Sequence, residues 1–311
     1  MKCDLWDRFA SKLETVQDAP RPLSGAMLTA LKPNDELRLL IFGPAYKALR
    51  KTIPATLLAV LAHDWLVVTG SEEHPAHVYR CDFANTLLIE ITNILLHGML
   101  RIDFATEGRT ETVAIPFNTV MEGLYQEATQ FLLNGMDEVR EITPCENKEL
   151  SCSLAPLPMK FYNAILEFIP MGQHVLEFVH WPAVFGNKLK MFRNEVSPEA
   201  VLVLTDRELL FISEERTSSW FHAERLQKYG CIATHCPLSR LASFQVSDHD
   251  SLDTIDIMLQ TRQGSEKLKI DFPRGQKAEM ASFMERVLKQ QKSQNLYAAT
   301  DTEVEIGYEP S

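Results

Sequence analysis

Residues 198–213 read PEAVLVLTDRELLFIS. Two runs of large apolar residues, 201–204 and 209–212, flank the polar tetrad Thr205-Asp206-Arg207-Glu208. Short runs rich in Val, Ile, Leu and Phe between turn residues predict strands, and two of them around four polar residues predict an antiparallel hairpin. The same pattern stands earlier in the chain. Residues 54–69, PATLLAVLAHDWLVVT, lie over 198–213 at an offset of 144, with Leu58 on Leu202 and Leu66 on Leu210.

Working outward, the correspondence extends in both directions. Upstream the offset is 138, pairing Pro44 with Pro182, Ala45 with Ala183, Ala26 with Ala164 and Leu28 with Leu166. Downstream it is 155, from Cys81 on Cys236 to Leu133 on Leu288 without a gap, with Ile102/Ile257, Ile115/Ile270 and Phe117/Phe272 in register. The chain therefore reads as a duplication. The second copy carries about six extra residues after its first strand and about eleven after its third, which places both insertions in loops.

Within each copy, alternation such as Ile255-Asp256-Ile257-Met258-Leu259 and Leu268-Lys269-Ile270-Asp271-Phe272 predicts half-buried antiparallel strands. The period then changes. Met121, Leu124, Tyr125, Ala128 and Leu132, and Met280, Phe283, Met284, Val287 and Leu288, recur at three- and four-residue spacing, so an amphipathic helix closes each copy. A short helix precedes each first strand. The expected fold class is mainly β with helices (α+β).

About seven antiparallel strands followed by one packed helix resembles the pleckstrin-homology (PH) superfold, with its bacterial PH-like and GRAM-like relatives. The turn in LTDRELLFIS is similar to the Thr-Asp/Asn-Arg-x-Leu hairpin of the bacterial members, whereas the first copy departs from it with Leu61-Ala62-His63-Asp64-Trp65. The resemblance implies two tandem PH-like barrels. The expected division is an amphipathic N-terminal segment (1–22), a first domain (23–138), a linker (139–158) whose residues 141–158 are EITPCENKELSCSLAPLP, a second domain (159–291) and a disordered acidic tail (292–311).

Composition bounds the function. Over 311 residues, 45% hydrophobic content supports proper cores, and a net charge of −11 opposes broad attraction to nucleic acid or an anionic bilayer. The longest apolar run, 57–62, is far short of the roughly 20 residues of a membrane-spanning helix. The opening MKCDLWDRFASKLETV has no apolar signal region, so a cytoplasmic location, peripheral at the inner membrane face, is the expectation, and the six scattered cysteines read as reduced thiols.

Motifs of enzymes are absent: there is no GxxxxGK[ST], GxGxxG, GxSxG or HExxH. Cys231, His235 and Cys236 form at most half a zinc site; His74 with His77, and Asp248-His249-Asp250 with Asp253, read as loop residues. No catalytic residue, cofactor or metal is expected. Instead the first interstrand segment of each copy is locally basic, with Lys47, Arg50 and Lys51 in one and Lys188, Lys190 and Arg193 in the other. The PH resemblance puts these segments on the barrel rim, where they would take an anionic lipid headgroup or peptide. The longer insertion carries Trp220, Phe221 and Tyr229, residue types that anchor interfaces with another protein. The chain thus reads as a non-enzymatic binding or adaptor protein. A self-assembling platform without a small ligand is the alternative, and an unrecognised hydrolase or metal enzyme a third reading.

Overall fold

The computed structural model describes residues 9–48, 51–71, 74–137, 154–189, 192–215, 230–248 and 252–304. Two compact units emerge: Met1–Ile142 with Lys228–Thr234 and Thr261–Ser265, and Thr143–Gln227 with His235–Gln260 and Glu266–Ser311. Among the described residues, no helix is long and apolar enough to cross a membrane.

The first unit begins with β1 (Ser11–Lys12) and helix α1 (Arg21–Ala30), followed by β2 (Leu37–Gly43), a short hairpin of β3 (Tyr46–Ala48) and β4 (Lys51–Ile53), then β5 (Ala55–Leu61), β6 (Asp64–Ser71) and β7 (His74–Asp82). Next come β8 (Thr86–Ile94), β9 (His97–Thr106), β10 (Arg109–Asn118) and α2 (Glu122–Met136). The order β1-β2-β5-β6-β7 forms one antiparallel sheet, and β8, β9 and β10 pair consecutively.

Strand β5 shows why its sequence does not alternate. Leu57 through Leu61 are all buried because both faces of the strand are covered. On one face Val16, Ala19, Leu23 and Met27, from α1 and the segment before it, pack on Leu40, Leu57, Ala59, Leu61, Leu66 and Val68. The N-terminal segment is therefore part of the first unit's sheet and core from Ser11 onward.

Arg80 on β7 ties these pieces together. Its guanidinium donates to Asp64 (2.7 Å), to Asp35 (2.9 Å) and to the carbonyl of Ala30 at the end of α1 (2.7 Å). The hydrogen bond from Arg80 holds the Asp35 carboxyl below its usual range, whereas burial pushes Asp64 upward against the pull of the same arginine.

The second half of the chain runs α3 (Met159–Phe168), β11 (Val175–Trp181), β12 (Val184–Leu189), β13 (Phe192–Ser197), β14 (Ala200–Thr205), β15 (Glu208–Glu214), β16 (Gly230–Pro237), β17 (Leu241–Asp248), β18 (Leu252–Gln260), β19 (Ser265–Pro273) and α4 (Lys277–Val304); all of it belongs to the second unit except β16 up to Thr234 and the first residue of β19, which belong to the first. Strands β11, β14 and β15 pair antiparallel in that order, β12 pairs with β13, and β17 with β18. The Thr-Asp turn between β14 and β15 has a clear local cause. Thr205 Oγ1 accepts from the backbone N–H groups of Arg207 (3.1 Å) and Glu208 (2.9 Å), and Asp206 accepts from the His174 N–H (2.8 Å).

Some element bounds in the two halves fall at the offsets read from the sequence. Helices α1 and α3, and strands β2 and β11, differ by 138 at both ends. The single turns of 3₁₀ helix Phe83–Asn85 and Leu238–Arg240 differ by 155 at both ends. Two expectations need revision. The ladders among the described residues form open antiparallel sheets and do not run on into a closed barrel. Helix α4 continues to Val304, through residues read from composition as a tail.

Candidate functional site: a cavity in the first unit

The basic segments are hairpins rather than loops. Lys47 lies on β3 opposite Thr52, and Lys51 on β4 opposite Ala48; Lys188 lies on β12 and Arg193 on β13 opposite Asn187. Arg50, Lys190, Trp220, Phe221 and Tyr229 lie outside the described residues. Of the basic set, Lys47 borders a cavity of about 360 Å³, at the small end of the range that accepts drug-sized molecules.

Its lining comes from the end of β2 (Gly43, Pro44), from β3 (Tyr46, Lys47), from the β8–β9 turn (Leu96, His97), from the end of β10 (Pro116, Phe117, Asn118), from Tyr125 on α2, and from Phe9 and Ala10. Gly43, Ala10, Phe117 and Tyr125 are buried and form the floor, whereas Lys47, Leu96 and His97 are exposed at the mouth.

Two glycines make the room. A Cβ on Gly98 would stand 2.1 Å from the Phe117 ring, and one on Gly43 would stand 2.6 Å from Thr56 Oγ1 and 3.3 Å from the Tyr125 hydroxyl. Phe117 can therefore lie over β9 and stack on Tyr125, with centroids 4.1 Å apart and planes 11° from parallel. At the mouth, Thr119 donates to the Leu95 carbonyl (2.7 Å), fixing the β8–β9 turn. Leu95 has a φ of 53°, an unfavourable value for a leucine, and Leu95 and Leu96 are each 64% exposed.

The floor holds one polar group in need of a partner. Tyr125 is fully buried and its hydroxyl has no hydrogen-bond partner among the described residues. Burial, with a smaller contribution from Tyr46, pushes its phenol far above the ordinary range, and burial also raises Tyr46. Tyr125 is thus a neutral O–H donor at any physiological pH.

The second unit differs at the corresponding positions. At the offset of 138, Gly43 meets Trp181; at 155, Phe117 meets Phe272 and Tyr125 meets Met280. Trp181, Phe272 and Met280 are all fully buried, and the indole packs against Phe272 and Phe211 at centroid distances of 6.4 and 6.1 Å. Below it in sequence, Arg80 and Asp64 have His235 and Glu208 as counterparts, a fully buried pair bonded at 2.9 Å. Among the described residues, no group of three or more His, Cys, Asp or Glu side chains is arranged to hold a metal ion.

Sequence reading finds Lys47 but misses the rest of the cavity. Tyr125 looks like any core residue of a helix face, and the glycines act by what they lack. The apolar pair Leu95-Leu96 is the signal that was available, because the second copy has the polar residues Asp250-Ser251 at those positions. Compared with known protein families and with curated protein sequences, the chain matches none, so its functional reading rests on this cavity and its mouth.

Proposed function

We propose that the chain is a non-enzymatic binding module of two tandem PH-like units, in which the first engages an anionic amphiphile or an anionic membrane surface. The observation that carries this reading is the mouth of the cavity, where the Lys47 ammonium stands with Leu96, beside the exposed Leu95, over an apolar interior. A cation next to exposed leucines suits a surface that offers negative headgroups above apolar chains. The recurrence of α1 as α3 and β2 as β11 at an offset of 138, and of the single 3₁₀ turns at 155, supports the PH-like and duplicated reading. With a net charge of −11, attraction has to be local and therefore sensitive to salt. Lys51 on the same hairpin, and Lys188 and Arg193 on the hairpin of the second unit, would add to it.

Sedimentation with vesicles containing 30% phosphatidylserine, at low ionic strength, tests the reading. Wild-type protein should pellet with these vesicles and stay in solution with neutral ones. Lys47→Glu, and separately the double change Leu95→Asn with Leu96→Ser, should each cut the bound fraction severalfold. The double change should leave thermal stability equal or slightly raised, since asparagine tolerates the positive φ at position 95. Wild-type protein that ignores anionic vesicles at low salt overturns the membrane reading.

A further inference from the structure

We infer that the cavity of the first unit is the site of a compact aromatic anion. Its planar body would fill the space between Pro44, Pro116 and Phe117, an oxygen at its inner end would accept the Tyr125 hydrogen bond, and its negative group would stay at the mouth beside Lys47. This rests on the reading of the first unit as an anion-binding module and narrows what that module takes.

The aromatic character follows from the comparison within the chain. At the corresponding position the second unit carries an indole of its own, Trp181, fully buried and in edge contact with Phe272. The first unit has the counterpart of that phenylalanine, Phe117, but a glycine in place of the tryptophan. In the first unit Tyr125 stacks on one face of Phe117 and the position of the indole is a glycine, so a flat ligand has room beside the phenylalanine. The tight glycines agree with this, because Gly43 keeps a side chain out of the space in front of the Tyr125 hydroxyl.

Chemistry fixes the orientation. A buried hydroxyl without a partner is costly, and a ligand that brings an acceptor removes the cost. The acceptor at that depth is a neutral oxygen, because Gly43 and Phe117 stand beside Tyr125 and, among the described residues, the buried lining holds no cation to balance a buried anion. Lys47, at the mouth, is where a carboxylate, sulfonate or phosphate can keep its water while meeting a positive charge. His97 also lines the cavity and is exposed.

A matched pair of probes tests this on the full chain: 2-naphthalenesulfonate, and the same molecule with a hydroxyl at the ring end away from the sulfonate, 6-hydroxy-2-naphthalenesulfonate. Titration calorimetry should show one site per chain, with the hydroxylated probe binding about fivefold tighter, the effect of one hydrogen bond of ordinary strength. Tyr125→Phe should abolish that difference while leaving the parent probe's affinity unchanged. Lys47→Gln should weaken both probes alike. Because Tyr125→Phe removes an unpaired buried hydroxyl, it should also raise the melting temperature of the unliganded protein. A lowered melting temperature, a hydroxyl preference that persists in the phenylalanine variant, or no binding of either probe overturns the inference. Vesicle binding without probe binding leaves the membrane reading standing and removes this one; probe binding without vesicle binding does the reverse.

Discussion

Replacing Arg80 with Ala should lower the stability of the first unit by about 3 kcal/mol, the lower end of what is lost when a buried ion pair is broken from one side. The arginine's donors reach two carboxylates and the last carbonyl of α1, and the Asp64 side chain is only 7% exposed. Removing the cation leaves a carboxylate already strained by burial without its partner and frees the end of the helix that covers β5 and β6. Thermal unfolding followed by circular dichroism should show a midpoint lower by roughly 10 °C for a unit of this size. Arg80→Lys should recover less than half of the loss, because an ammonium cannot fork between Asp35, Asp64 and a carbonyl at fixed angles. Replacing Arg80 and Asp64 together by Met and Leu should recover part of it, since the more buried carboxylate is then gone and only Asp35 is left without the arginine. A loss below about 1 kcal/mol for the alanine variant would show that the cluster contributes no more than an exposed pair does.

The second large effect lies in the other unit. Trp181→Ala should destabilise by about 3–5 kcal/mol, the range for emptying the site of a buried large aromatic. The indole is fully buried between Phe211 and Phe272, so nothing but collapse of those rings can refill the space. Trp181→Phe isolates the cause. The indole N–H has no partner among the described residues, so exchanging it for a phenyl ring gives up some contact area but also removes an unpaired donor. That variant should stay within about 1.5 kcal/mol of wild type, as hydrophobic exchanges of similar shape do. Denaturant midpoints for the two variants settle the matter; similar large losses in both would mean that the N–H is engaged and not idle.

How much of this was legible beforehand depends on the kind of signal. The periods of strands and helices were. The matches of Pro44 with Pro182 and Cys81 with Cys236 set offsets at which helices, strands and 3₁₀ turns later fall, because turn residues and apolar spacing act locally. The Thr205-Asp206 turn was legible for the same reason: its hydrogen bonds stay within a few residues or reach the neighbouring strand end. The cavity was not. It depends on side chains from β2, β3, β10 and α2 converging, and on Gly43 and Gly98 contributing nothing, which no local pattern records. The role of Ser11 and Lys12 as an edge strand beside β2 was missed as well, since two paired residues are too few for a period. Lys47 was found only because charge against an acidic background needs no folding to be seen.

The division of the chain into units also sets a timetable for synthesis. The first unit includes Lys228–Thr234 and Thr261–Ser265 as well as Met1–Ile142, so its full set of contacts cannot form when its own helix α2 leaves the ribosome. At about 5–20 residues per second, residue 265 follows residue 142 by roughly 6–25 s. During that interval the nascent first unit exposes whatever those later segments cover, on a timescale far longer than strand pairing itself, and it is available to chaperones. A truncation ending near residue 142 makes that interval permanent, and such a fragment should be less soluble than the whole chain.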